Sequence, residues 1–552
     1  MQKYQSKYRT LAKQVLKIFL FAVTLISYKQ GFCQEIQNLH LFGGPSNDEL
    51  TTLITKDCHL IIGGSYGEGM NFAGQTLKDH GNADIFWGEI DGENETLISS
   101  GGSFENDRLQ AIIRNSQSDL FVAGSFINEA NFQDSILSAG ANISAAFLSK
   151  YIGTELAWSI ILNGDSYEQV NDMAVDENDN IYVAGYYKSS LTINQMTIST
   201  TANEAAFIFK ITSEGELLWL RSFGIEGNNR IKEISYCEQT GQIILAGDFK
   251  GVLKIGDAVI QANTFDEDLF IASIDKEGTP QWLIKAGGVY IDDLKDMVTS
   301  EAGDIYLTGN FRGIINIDDQ LQIETQGSLD DNLFLIKLDN LGNPIWARSL
   351  GEQEFSETGF AICLSEDENE LYLTGYTTGN MQIDAVNFVP TDDADFHIFI
   401  TSFSTSAAEL NWIIGPEAAT GLIVPNLMTL TECGDLFIGG AIRGSIEIQG
   451  ERYESEAYDG FITKVNLAPN AIFSPSTIQE IKAFPNPTKG CFQLKNEEAV
   501  TFSLFDLSGG FLLEKALDPR EEICLEGLTG LFFWKAQTKT GSFAFGRIVL
   551  AK

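Results

Sequence analysis

Hydrophobic and polar positions along this chain alternate with period two in short runs, the mark of half-buried β-strands, and the runs recur. One strand appears seven times: LIIGGSY (60–66), LFVAGSF (120–126), IYVAGYY (181–187), IILAGDF (243–249), IYLTGNF (305–311), LYLTGYT (371–377) and LFIGGAI (436–442). Its shared glycines, Gly64, Gly124, Gly185, Gly247, Gly309, Gly375 and Gly440, lie 60, 61, 62, 62, 66 and 65 residues apart. Six residues after each begins an apolar-x-apolar step, from Met70/Phe72 to Ile446/Ile448. A further strand, a Gly turn and a tryptophan follow. Trp158, Trp219, Trp282, Trp346 and Trp412 keep the same phase, at separations of 61, 63, 64 and 66.

Each unit therefore reads as four strands: A (170–176 in the third unit), B (the glycine strand), C (205–212) and D (216–223). Four antiparallel strands per unit, repeated radially, predict an all-β, seven-bladed β-propeller over 34–467. A glycine weakens a strand interior, so its recurrence predicts close backbone approach between neighbouring blades. The tryptophan ladder is expected to be core packing between blades and not a cofactor cage. After the seventh C strand, FITKVNL (461–467), no D strand follows, whereas IQNLHLFGG (36–44) resembles the second half of a D strand and precedes the first A strand. An N-terminal strand completing the last blade is expected to close the ring without a free edge.

Outside the repeats, residues 1–17 hold Lys3, Lys7, Arg9, Lys13 and Lys17 with no acid, and the apolar stretch 18–27 follows. That is the layout of an export signal peptide, 1–33, with cleavage expected after Cys33. Its apolar run is about half of the ~20 residues a spanning helix needs, so no transmembrane anchor is expected. Residues 468–480 have linker composition. The last segment, 481–552, has short strands between Gly turns and predicts a small β-sandwich.

The charge is strongly acidic, with 36 Lys+Arg against 76 Asp+Glu. Without 1–33, which carries six basic residues, it becomes 30 − 76 = −46, and 471–552, with nine of each sign, contributes nothing to it. Such a surface repels a phosphate backbone, which excludes nucleic acid as a partner.

KLDNLGNPIW (337–346) and DNIYVAG (179–185) resemble the consensus of a bacterial β-propeller repeat family, over about 34–467. The resemblance implies the fold and leaves function open. The tail resembles the C-terminal sorting domain of the type IX secretion system of Bacteroidetes. The matching positions are Pro485, Asn486, Pro487, Gly490, the turn from Asp506 to Gly509, and Gly530 before an apolar strand; Phe484 replaces the usual Tyr. This resemblance implies the secretion machinery as partner of 481–552 and a secreted or outer-membrane cell-surface location.

Catalytic signatures are sparse. His40, His59, His80 and His397 have no metal-ligand spacing, and no nucleophile, zinc or phosphate-loop motif appears. No catalytic residue, metal site or cofactor is assigned. DENDN (176–180) reads as an A–B hairpin turn and not a calcium loop, and DNLGNPIW (339–346) carries one residue too many for a sialidase Asp box. Six cysteines remain after cleavage and allow 15 pairings. Cys491 and Cys524 form the tail's candidate bridge, while Cys58, Cys237, Cys363 and Cys433 fall near A–B turns of different blades and are expected to be buried or free.

The D–A loops are acid-rich, with Asp107, Asp165, Asp292, Asp293 and Glu354 among their carboxylates. Two readings are open: solvated loops of an acidic protein, or a ring at the channel mouth that binds a cationic ligand or one bridged by a divalent cation. The function expected is a non-catalytic binding or adhesion module for an unidentified glycan or protein. The alternative is a secreted polysaccharide hydrolase or lyase using channel carboxylates.

Overall fold

The computed structural model describes residues 34–467, apart from residue 93 and the loop residues 133–134, 140–143, 263–265, 326–329, 352–354 and 391–395. Beyond 467 it describes the strand segments 483–484, 491–494, 500–505, 511–517, 521–524, 530–538 and 543–550. The segments expected to be signal peptide, 1–33, and linker, 468–480, lie outside the described residues. All regular structure among those described is β, and the chain divides into two compact units, 1–467 and 468–552.

The first unit is a seven-bladed β-propeller. In blade 5, strands A (Asp293–Thr299), B (Ile305–Phe311), C (Asn332–Leu338) and D (Pro344–Leu350) pair antiparallel in that order. The same order recurs from A strands beginning at Glu49, Arg108, Glu168, Asn229, Asp293, Glu357 and Ala418. Each A strand touches the next all the way round, blade 7 against blade 1 included, so the A strands form a closed inner ring. Blade 7 takes its D strand, Glu35–Phe42, from the N-terminal side of the chain. Thr463 and Gln449 side chains add bonds to the carbonyls of Gln37 and Ile36.

The apolar-x-apolar step after strand B is a two-stranded hairpin, such as Ile314–Ile317 with Leu321–Glu324. In blade 7 it is fused into long B and C strands, Leu436–Ile448 and Glu451–Asn466. An even number of strands preserves parity. Leu467 therefore lies at the A–B and C–D turn face, opposite the D–A loops that carry Asp107 and Asp292.

Seven apolar clusters among the described residues are each drawn from two adjacent blades, so the core is a set of seven inter-blade layers. The five repeat tryptophans share one register, opposite Lys150, Lys210, Ser273, Lys337 and Ser402. The indoles of Trp158, Trp219 and Trp346 donate to the carbonyls of Ser213, Lys276 and Thr405 in the next blade's C–D turn, at 3.0–3.1 Å. Gly342 in such a turn has φ of 83° and lies against the Trp282 ring, which is why the turn needs a glycine. In the turns that imitate calcium and sialidase motifs, Asp176 and Asp339 accept backbone N–H bonds from the residues two and four positions on. This is ordinary Asx-turn chemistry.

Two expectations are corrected. The strand-B glycine serves its own blade and not its neighbour: a Cβ at Gly64 or Gly309 would sit 1.9 or 2.0 Å from the carbonyl oxygen of Glu49 or Asp293 in strand A. And Cys58 and Cys433 are neither free nor separate. Their A–B turns, in blades 1 and 7, meet at the ring closure and are joined by a disulfide spanning 375 residues of chain. Cys237 and Cys363 are free.

The second unit contains a three-stranded sheet (Ala483–Phe484, Cys491–Leu494, Glu522–Cys524). Its four-stranded sheet has the order Phe511–Leu517, Val500–Phe505, Gly530–Thr538, Phe543–Leu550. Phe502, Leu504 and Ile523 are buried, and Cys491 lies directly opposite Cys524 in the strand register. Pro485, Asn486, Pro487, Gly490, Asp506 and Gly509 lie outside the described residues; Gly530 begins a strand, opposite Leu550.

Candidate functional site at the channel mouth

Strand A carries one extra residue opposite the strand-B glycine in each of blades 1 to 6: Thr51, Gln110, Asn171, Lys232, Lys295 and Phe360. A bulge turns its side chain out of the alternation, here towards the neighbouring blade and the channel. Thr51 donates to the carbonyl of Leu109, Asn171 to Ile231 and Lys232 to Leu294, in each case the residue just before the next blade's bulge. The inner ring is thus laced from blade to blade.

The channel is chemically lopsided. The residue after the bulge is Asp172, Glu233 and Asp296 in blades 3, 4 and 5, but Thr52, Ala111 and Ala361 in blades 1, 2 and 6. Burial pushes Asp172 and Asp296 up to about 7, against backbone bonds donated across the interfaces by Ile234 and Ile362. Glu233 is raised well above the usual range, first by burial and then by the charges of Asp172 and Asp296. Beside them Lys232 pairs with Asp248 and Asp293, and Lys295 with Asp293 at 2.7 Å. No group of three or more His, Cys, Asp or Glu among the described residues is placed to hold a metal ion.

The acids expected to ring the mouth fall into different environments. Asp107 and Asp292 are 1% and 0% exposed and face inward. Asp107 accepts the N–H and hydroxyl of Ser103, and Asp292 accepts the N–H of Gly288, so each carboxyl shapes its D–A loop. Burial is the main force that raises them, to about 7 and about 9; Asp84 and Asp268, at the head of the preceding blade's strand C, add to it. These pairs meet over a glycine: a Cβ on Gly102 would lie 2.3 Å from Asp107 and 2.4 Å from Asp84. Asp293, although largely enclosed, is held below the usual carboxylate range by Lys232 and Lys295. Asp165 is exposed and accepts the Ser190 hydroxyl. Glu354 lies outside the described residues.

A different set of side chains forms the cleft. Over blades 1 to 3 the mouth opens into a space of about 510 Å³ lined by Asn47, Glu49, Thr51, Ser65, Ala83, Asn106, Asp107, Arg108, Leu109, Gln110, Gln169 and Asn171. Its amides are held by the fold. The Ile231 carbonyl can only accept, which fixes Asn171 Nδ2 as donor. Asn171 Oδ1 then receives Gln169 Nε2 at 2.8 Å, and Gln169 Oε1 receives the hydroxyls of Tyr167 and Tyr186 at 2.6 and 3.0 Å. Sequence reasoning looked for charge and passed over these amides. Their signal was slight: Gln110 and Asn171 occupy one repeat position, but their strands, RLQAIIR and EQVNDMAV, carry other polar residues too.

Compared with known proteins, residues 149–186 match the family described as Beta-propeller repeat, from strand C of blade 2 to strand B of blade 3. No curated protein matches the chain. Among solved structures, a crystal structure of a protein from Lactobacillus plantarum is 13% identical, with a TM-score of 0.34, covering 72% of this chain and 98% of its own. Domains 4–9 of surface layer protein SbsC are 9% identical, with a TM-score of 0.12, covering 94% of this chain and 99% of their own. These two similarities carry no argument about function. The repeat match and the seven blades agree that this is a β-propeller repeat protein.

Proposed function

We propose that this protein is an exported, non-catalytic binding propeller, delivered by the type IX secretion system through 481–552, and that it binds its ligand at the channel mouth. One observation carries the binding reading: a cleft of about 510 Å³ lined chiefly by neutral hydrogen-bonding side chains, within the roughly 300–1,000 Å³ span of ligand sites. Its amides are already oriented, which lowers the ordering cost of binding. Export rests on the signal layout of 1–33 and the sorting-domain resemblance of the tail. The seam disulfide suits an oxidising compartment.

A second reading draws on the channel trio. Asp172, Glu233 and Asp296 retain protons near neutrality, the condition for general acid–base work on a glycosidic bond. One screen separates the two: the full chain is incubated with glycan and peptide libraries, and both retention and cleavage are read. Retention without cleavage is the expected outcome. Cleavage abolished by Glu233→Gln would move the assignment to the hydrolase or lyase. For delivery, deleting 481–552 should abolish surface appearance and leave the propeller's melting transition unchanged; continued surface delivery would remove the sorting assignment.

A further inference from the structure

The ligand class can be taken further, on the basis of the binding reading just given. The exposed charges of the cleft, Glu49 and Arg108, are one of each sign, so neither an anion nor a cation finds an excess of opposite charge there. Hydrogen-bonding groups dominate instead. On Gln169 and Asn171 the oxygens are occupied, and each amide nitrogen makes one of its two possible bonds within the fold. One N–H of each remains to donate. Gln110 donates to Ser125 at 3.2 Å, while its Oε1 is buried without a partner among the described residues. Gln169 and Asn171 therefore offer donors to the cleft, and the lining Thr51 hydroxyl, which donates to the Leu109 carbonyl, keeps its oxygen as an acceptor, the pattern a hydroxyl group satisfies because it can do both.

Aromatic residues lie on the two D–A loops that border the cleft residues Asn106 and Gln169. Phe104, two residues before Asn106, is 78% exposed. Its loop is fixed by the inward-facing Asp107 through Ser103 and by backbone packing so close that a Cβ on Gly81 would lie 2.3 Å from the Phe104 carbonyl oxygen. An aromatic ring held out on a rigid loop provides a flat apolar platform at little entropic cost. On the next D–A loop Tyr167 packs against Tyr186, ring centroids 5.9 Å apart, and both hydroxyls point to Gln169. An apolar face next to alternating hydroxyls describes a pyranose ring.

We propose that the cleft over blades 1 to 3 binds a neutral carbohydrate, a sugar face resting on Phe104 and its hydroxyls on Gln110, Gln169 and Asn171. Blades 4 and 5, where Lys232, Asp293 and Lys295 pair among themselves, are not part of this subsite.

The test uses the full chain with neutral gluco-, manno-, galacto- and xylo-oligosaccharides, beside uronate oligomers and peptides of matched length. A neutral sugar should bind equally at about 0.05 and 0.5 M salt, since no charge is recognised. Phe104→Ala, at a position too exposed to unfold the protein, and Gln110→Ala should each weaken binding about tenfold or more with the melting temperature unchanged. Tyr290→Ala, on the loop before blade 5, should not. Binding confined to uronates or peptides leaves the binding reading standing and overturns the carbohydrate assignment. Neutral-sugar binding that ignores both cleft variants overturns its location, and the absence of any neutral-sugar binding overturns the assignment outright.

Discussion

In blade 5, strands C and D are joined by a turn in which Asp339 caps the N–H groups of Leu341 and Asn343. In blade 7, strands C and D come from opposite ends of the 34–467 segment and are joined chiefly by the ladder between Glu35–Phe42 and Glu451–Asn466. The break in the ring thus lies inside a sheet and not between two blades. A row of backbone bonds satisfies both edges there, whereas a break between blades would be crossed by side-chain packing and scattered hydrogen bonds, with no continuous ladder. The neighbouring interface, blade 7 against blade 1, then carries the Cys58–Cys433 bond and a turn-to-turn bond from the Glu432 N–H to the Asp57 carbonyl. The comparison teaches that hydrogen bonds can replace one covalent connection, provided that the adjoining joint is reinforced.

The strongest way to break that comparison is to delete 35–42. The deletion removes Ile36, Leu39 and Phe42 from the core, at about 1.5–3 kcal/mol each, and bares the edge of strand C. The sum is comparable with the roughly 5–15 kcal/mol stability of a domain, so loss of a single cooperative thermal transition is expected. Cleaving the chain between Asn340 and Leu341 should do far less, because it recreates in blade 5 the break that blade 7 already tolerates. Leu341 is 64% exposed and accessible to an engineered protease site. Equal losses from the two changes would erase the distinction.

Of intermediate size is the disulfide. Cys58→Ser with Cys433→Ser should cost about 2–4 kcal/mol, measured by denaturant melts. A reductant should reproduce the loss in the native protein and add nothing in the variant. If the variant melts like the native protein, the ladder alone closes the ring.

Smallest and most specific is the pH response of the acid pairs. Asp48 at the seam and Asp292 between blades 4 and 5 are raised to about 7 and about 9, in both cases chiefly by burial, with Asp459 and Asp268 opposing their ionisation. The folded state therefore holds protons that the unfolded chain releases near pH 4. Stability from these groups is complete below that value and is lost as pH rises through 7 to 9. Between blades 5 and 6 an amide, Asn332, stands in the strand-C position beside Glu357, doing permanently what a protonated carboxyl does. Asp268→Asn should thus flatten the fall in melting temperature between pH 7 and 9. An unchanged slope would show that the Asp268–Asp292 pair does not control it.

The repeats, the tryptophan register and the closing strand were legible because each is a pattern in chain order. Gln110 and Asn171 were not, because a bulge of one residue shifts the alternation that reading with period two relies on. Nor could the acids of the D–A loops be sorted. Asp107 and Asp165 sit in similar loops of similar composition, yet the first is enclosed by Ser103 and Gly102 and the second faces solvent. Burial depends on what a neighbouring blade brings.

The sequence by itself determined the number of blades, the strand order and which strand must travel to close the ring, since hydrophobic alternation and spacing are local and repeat with the chain. The tertiary structure alone decided that Cys58 meets Cys433, that Asp107 and Asp292 turn inward, and that three A strands place an amide-lined cleft at one side of the channel mouth. Those facts depend on contacts between residues far apart in the chain, where distance and enclosure, and not residue type, set the chemistry.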